Sequence, residues 1–150
     1  MTVQNFLAQA TRKSVADLEA VYKALPEDQR NLSPGGSART AADMIAECAI
    51  MNGMTVELIK TKQFPASFDW AAYGQRRDAL IQNESEMWTL LHENTASFIS
   101  ALEEVPAEDL DIEVAMPWGK MTIAQILAYP YWNMSYHEGQ INYIASLPVA

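Results

Sequence analysis

At 150 residues, with 49% hydrophobic and 19% charged side chains, the chain is long enough for one domain whose core needs no covalent staples. Ten Lys and Arg against nineteen Asp and Glu give a formal charge of −9, which disfavours nucleic-acid partners, whose affinity rests on cation–phosphate contacts. The single Cys48 excludes an internal disulfide and a Cys-rich zinc site and suits a reducing cytoplasm, while no apolar run nears the roughly 18 residues of a membrane span and the opening MTVQNFLAQATRK carries no signal pattern.

Four stretches place apolar residues three or four apart, the period of a helix with one buried face. The first is expected from about Gln4 to Leu25, through Leu7, Ala10, Ser14, Leu18, Val21 and Leu25, and ends at Pro26 and the loop residues Ser33-Pro34-Gly35-Gly36. The second starts near Thr40, with Asp43 completing a capping arrangement, and runs to about Thr61. It turns Ala41, Met44, Ile45, Cys48, Met51, Thr55 and Leu58 inward. Lys62 to Gly74 reads as a link holding Phe64, Pro65, Phe68, Trp70 and Tyr73. A third helix is expected from Gln75 to Val105, through Leu80, Met87, Trp88, Leu91, Thr95, Phe98 and Leu102.

Leu110, Ile112, Val114 and Met116 then alternate with Asp109, Asp111 and Glu113. That period of two predicts a short extended segment turning at Pro117-Trp118-Gly119-Lys120. The fourth helix opens with a Thr122-x-x-Gln125 capping box and continues to Leu147. Links as long as those around the second helix exceed what an up-down bundle needs, and a crossing link makes consecutive helices parallel. The fold class read from the sequence is therefore all-α. It is a four-helix bundle with a long crossover between helices two and three, and one domain spans residues 1–150.

Polar side chains on the apolar faces mark candidate sites. Glu47 is the one carboxylate in the row Met44, Glu47, Met51, Met54 and Leu58. Either it sits at the edge of the stripe and faces water, or it meets a cation, a metal or a proton, because an unpaired buried carboxylate is costly. On the last helix Asn133 and His137 lie four apart, on one face. Such a pair either satisfies itself inside the bundle or gives a metal two ligands from one helix, the carboxamide suiting hard ions. Pro130 either kinks that helix one turn before Asn133 or marks its true start. His92 falls at the flank of its stripe, and Cys48 behaves as a small buried hydrophobe. The acids between Glu103 and Glu113 read as a solvated run. Lys60, Lys62, Arg76 and Arg77 bracket the second link, either to attract an acidic ligand or as solubilising charge.

The segment Tyr131-Trp-Asn-Met-Ser-Tyr-His137-Glu-Gly-Gln140-Ile-Asn-Tyr143 resembles the signature region of the DinB/YfiT-like superfamily of four-helix bundles. There two histidines stand four apart, the second followed by a Gly-Gln-Ile-type tail. His137-Glu-Gly139-Gln140-Ile141 matches the tail, and Asn133 stands where the first histidine would be. Thr40 to Cys48 resembles the family's second helix, whose third histidine follows the capping Ser or Thr by about seven residues; Glu47 holds that place.

The resemblance implies that Glu47, Asn133 and His137 converge at one open end of the bundle, where members often bind a divalent metal. It also implies a homodimer, and a small-molecule ligand or low-molecular-weight thiol as partner, since relatives include bacillithiol- and mycothiol-dependent transferases and isomerases. With two imidazoles replaced, the implied site is weaker and harder. Zinc, nickel or manganese is the candidate cofactor, or the metal is lost and the pocket kept. Three readings follow. One is a non-catalytic binding module whose pocket is rimmed by Tyr131, Trp132 and Tyr136 and softened by methionines. The second is a metal-dependent thiol transferase or hydrolase. The third is a metal-free enzyme with Glu47 and His137 as an acid–base dyad.

Overall fold

A computed structural model describes residues 1–147; the last three residues of the expected domain, 148–150, lie outside the described residues. Five helices and one hairpin follow in the order α1 (Val3–Ala24), α2 (Ala41–Thr61), α3 (Trp70–Ile81), α4 (Glu84–Glu103), β1 (Glu113–Met116), β2 (Gly119–Thr122) and α5 (Ile123–Ser146). The helix starts are set by side-chain caps. Thr2, Thr40, Asp69, Asn83 and Thr122 each accept a hydrogen bond from a backbone N–H in the first turn, and Thr122 with Gln125 forms the expected reciprocal box.

Two apolar clusters fix the helix directions. One joins the end of α1 (Leu18, Tyr22), the start of α2 (Ala41 to Ala49), the start of α4 (Met87, Leu91) and the end of α5 (Met134, Ile141). The other joins the start of α1 (Leu7, Ala8), the end of α2 (Val56, Leu58, Ile59), the end of α4 (Phe98, Ile99, Leu102) and the start of α5 (Ile123, Ile126, Leu127). So α1 and α5 run one way while α2 and α4 run the other. The segment from Lys62 to Asn83 carries the chain back along the bundle, and α3 packs on α2 and α4 as it does so. That is the crossover the long link called for. Between the clusters lies a buried polar layer formed by Thr11, Ser14, Asn52, Thr55, Thr95 and Asn133. Asn52 Nδ2 donates to Thr95 Oγ1 at 2.9 Å, and Thr95 Oγ1 donates to the Leu91 carbonyl at 2.6 Å.

The third expected helix is two helices. The backbone breaks at Gln82, and Asn83 restarts it: its side chain accepts from Glu86 N–H at 3.2 Å and donates to Glu86 Oε2 at 3.1 Å. Glu84 and Glu86 in the new first turn complement the helix dipole. The start is also earlier than Gln75, because Asp69 caps the helix at Trp70. Replacing Asn83 by Ala is expected to cost about 1 kcal/mol, seen as a lower urea midpoint at unchanged slope. An unchanged midpoint would mean that packing alone sets the break.

The extended segment is a hairpin and is shorter than the alternation suggested. Ala107–Asp109 form a 3-10 turn, and pairing begins at Glu113↔Thr122 and closes at Met116↔Gly119. Gly119 has φ +132°, a backbone that side chains rarely adopt, which explains a glycine directly after Pro117-Trp118. Two backbone bonds tie the hairpin base to α5: Ile123 N–H to the Ile112 carbonyl at 2.9 Å and Ala124 N–H to the Leu110 carbonyl at 3.0 Å. Pro130 lies inside a continuous α5, so the choice left open by the sequence resolves to an internal proline, which leaves the Ile126 carbonyl without its usual donor.

Candidate functional site

Antiparallel packing of α2 on α5 brings the first candidate pair together. His137 is buried, and its Nε2 lies 3.3 Å from Glu47 Oε1. Its Nδ1 lies 2.6 Å from Gln140 Oε1, one turn further along α5. If the Gln140 carboxamide is turned to donate to Nδ1, Nε2–H is free to donate to Glu47. If Oε1 faces Nδ1, the ring bridges both acceptors only as imidazolium. Glu47 therefore does not face water from the stripe edge; its side chain is 17% exposed and held on both oxygens.

Arg39 supplies the second hold. Its Nη1 donates to Glu47 Oε2, while its Nε bonds Asp43 Oδ2 at 2.5 Å and its Nη2 bonds the Asp43 carbonyl at 3.1 Å. Arg77 Nε adds a 2.9 Å ion pair to Asp43 Oδ1, a close approach without an aligned hydrogen bond. Two cations and two carboxylates thus form one chain, Arg77–Asp43–Arg39–Glu47, ending on His137. Burial acts to raise the pKa of Glu47, but hydrogen bonds from His137 and the charge and hydrogen bond of Arg39 outweigh it and hold it at about 2.

Asn133 is buried as expected but does not join that pair. Its Nδ2 donates to Cys48 Sγ at 3.6 Å, so the carboxamide serves the thiol of α2 instead. Cys48 is fully buried, and burial followed by the charge of Glu47 pushes its pKa up, which keeps the thiol neutral and inert. Among the described residues no three His, Cys, Asp or Glu side chains gather as a ligand set.

Beside Glu47 opens a cavity of about 210 Å³ between α2, α3, α5, the hairpin and the link before α3. Met51, Met54 and Leu58 from α2 and Ile126 from α5 form its apolar wall. Phe64, Phe68 and Trp70 from the link and α3, with Trp118 from the hairpin, form a ring cluster packed at 4.6–5.9 Å between centroids. Tyr73 and Tyr129 complete the lining near Glu47. Burial first, then the Glu47 charge, raises the pKa of both phenols, that of Tyr129 to about 12, so both remain neutral hydroxyls at neutral pH.

The rim expected from Tyr131, Trp132 and Tyr136 is not there. Trp132 and Tyr136 stack on each other at 5.5 Å on the exposed face of α5, and Tyr131 packs against the second apolar cluster. Each of the two exposed rings precedes an inward residue by one position, which rotates it about 100° away from the site. The basic residues around the second link are all paired: Lys62 with Asp109, Arg76 with Glu86, Arg77 with Asp43 and Lys60 with Glu57. His92 is half-exposed and pairs with Glu19.

The sequence matches no protein-family model and no curated protein. Its fold matches solved structures along nearly its whole length. YfiT from Bacillus subtilis, described as a probable metal-dependent hydrolase with an unusual four-helix bundle topology, superposes at TM-score 0.77 with 15% identity over 95% of this chain and 85% of its own. The DinB-like protein YjoA from Bacillus subtilis superposes at 0.65 with 16% identity, over 95% of each chain. The fold is that of the DinB/YfiT-like four-helix bundles. Mycothiol-dependent maleylpyruvate isomerase carries it as well, at 0.73 and 13% identity; the match covers 94% of this chain, which spans only 61% of the isomerase. The colibactin self-resistance protein ClbS, solved in complex with double-stranded DNA, superposes at 0.65 with 14% identity over 97% of each chain. Among its described residues this chain has no helix long and apolar enough to cross a membrane.

Proposed function

We propose that this DinB-like chain is a small-molecule-binding protein whose pocket ends on Glu47, backed by His137, a pair that holds a divalent metal weakly or not at all. The observation that carries this reading is the Arg39 guanidinium on Glu47 Oε2. A dication at Glu47 would stand beside a fixed positive charge, and a hard ligand set of one carboxylate and one imidazole is too small to offset that repulsion. Asn133, the third residue that the resemblance assigns to the metal position, is turned to Cys48. As arranged, these residues do not fit a tight zinc or nickel site.

One observation favours the second reading, a metal-dependent thiol transferase or hydrolase. Gln140 fixes the His137 ring from its Nδ1 side, the way an outer partner orients a metal-binding imidazole, and leaves Nε2 toward the site. Calorimetric titration of untagged protein with zinc, nickel and manganese separates the two. Binding weaker than about 10 μM is expected, against the nanomolar range that typical tight zinc sites reach. Stoichiometric metal that survives purification and is lost in His137→Ala would establish the metal-dependent reading instead.

The chain is further proposed to act as a homodimer and without nucleic acid. The charge of −9 supports the second point. Light scattering at micromolar concentration should give twice 16.7 kDa, and a clean 16.7 kDa species would remove the dimer.

A further inference from the structure

We propose that the pocket takes a single-ring aromatic molecule with a neutral hydrogen-bond-accepting head, such as a carbonyl or carboxamide, oriented by the hydroxyls of Tyr73 and Tyr129. This rests on the small-molecule reading above and adds the class of ligand.

Size comes first. The cavity of about 210 Å³ is somewhat larger than the roughly 150 Å³ apolar cavity that takes up benzene, leaving room for one ring and a short substituent. The walls come next. Aromatic rings of Phe68, Trp70 and Trp118 face sulfur and aliphatic groups of Met51, Met121 and Ile126, surfaces that favour a flat apolar body.

The polar end decides the head group. Tyr73 and Tyr129 both line the cavity, and among the described residues neither hydroxyl has a protein hydrogen-bond partner. Two half-buried hydroxyls with no protein acceptor are free to donate to a ligand that accepts. Arg39 pairs with Glu47, so no net charge beside the pocket offsets the desolvation of a charged head, anionic or cationic. The other polar side chain in the wall, Thr55, spends its hydroxyl on the Met51 carbonyl at 2.8 Å. What remains unmet is an acceptor.

Four single-ring probes test this by ligand-observed NMR and calorimetry at pH 7: toluene, acetophenone, benzoate and benzylamine. Acetophenone is expected to bind at least tenfold tighter than benzoate and benzylamine. Tyr73→Phe and Tyr129→Phe should each weaken acetophenone about fivefold, the worth of one neutral hydrogen bond, and leave toluene within twofold. Equal or tighter binding of benzoate or benzylamine would overturn the proposal. So would a loss in the two variants that is the same for toluene as for acetophenone. Toluene bound without preference for the acetophenone head refutes the head-group assignment while leaving the pocket. Failure of all four probes to bind refutes the small-molecule reading itself.

Discussion

Acidification from pH 6 to pH 3 is expected to remove about 2 kcal/mol more stability from the wild-type chain than from its Glu47→Gln variant. The folded carboxyl is held at about 2 against an ordinary 4.5, a depressed pKa. Above pH 4.5 the group is ionised in both folded and unfolded chains, and the whole advantage, on the order of 3 kcal/mol, is present. As pH falls from about 4.5 toward 2 the unfolded chain takes the proton first, so stability drains away over that window. Other carboxylates add their own acid dependence, which is why the comparison is with Glu47→Gln rather than with neutral pH alone. Urea unfolding at half-unit intervals measures the difference. Parallel curves for the two proteins would mean that Glu47 gains nothing from Arg39 and His137 on folding.

Replacing Arg39 by Met is expected to destabilise the chain by about 1–3 kcal/mol at neutral pH and to raise its affinity for zinc at least tenfold. Removing one partner of a buried ion pair typically costs about 3–5 kcal/mol, and the lower figure here reflects an Arg39 side chain that is 34% exposed and partly screened. The metal effect has the opposite sign because the same guanidinium both supports the carboxylate and repels a dication. Urea unfolding reads the first effect and calorimetry the second. A variant as stable as wild type, with zinc affinity unchanged, would remove Arg39 from the site's electrostatics.

Much of the bundle was legible because amphipathic helices advertise themselves by period. The two long links also announced a crossover. The break inside the third stretch was masked because Leu80, Met87 and Leu91 keep the helical period across it; the signal that could have found it was Asn83 with Glu86 three residues on, a capping pair in the middle of the run. At the site, row reasoning located Glu47 and His137, which meet. It misjudged Asn133, since spacing gives the face of a helix but not the partner a carboxamide selects, here a thiol. Arg39 left no periodic trace: it precedes the Thr40 cap and reaches Glu47 only through the length of its side chain. Tyr129 did leave one, as it stands four residues before Asn133 and eight before His137 on the same row of α5. Asn52, buried in the polar layer with its Oδ1 unpartnered, carried no cue, since nothing in its spacing distinguishes a buried polar residue from a core one.

A carboxyl-detected NMR titration that follows Glu47 directly is the most decisive measurement. Bound between Arg39 and His137, its resonance should still report the ionised form at about pH 3.5, after the exposed glutamates have begun to take up protons. A Glu47 signal that moves together with theirs would mean that neither neighbour holds it, and that the carboxylate is free for a metal after all.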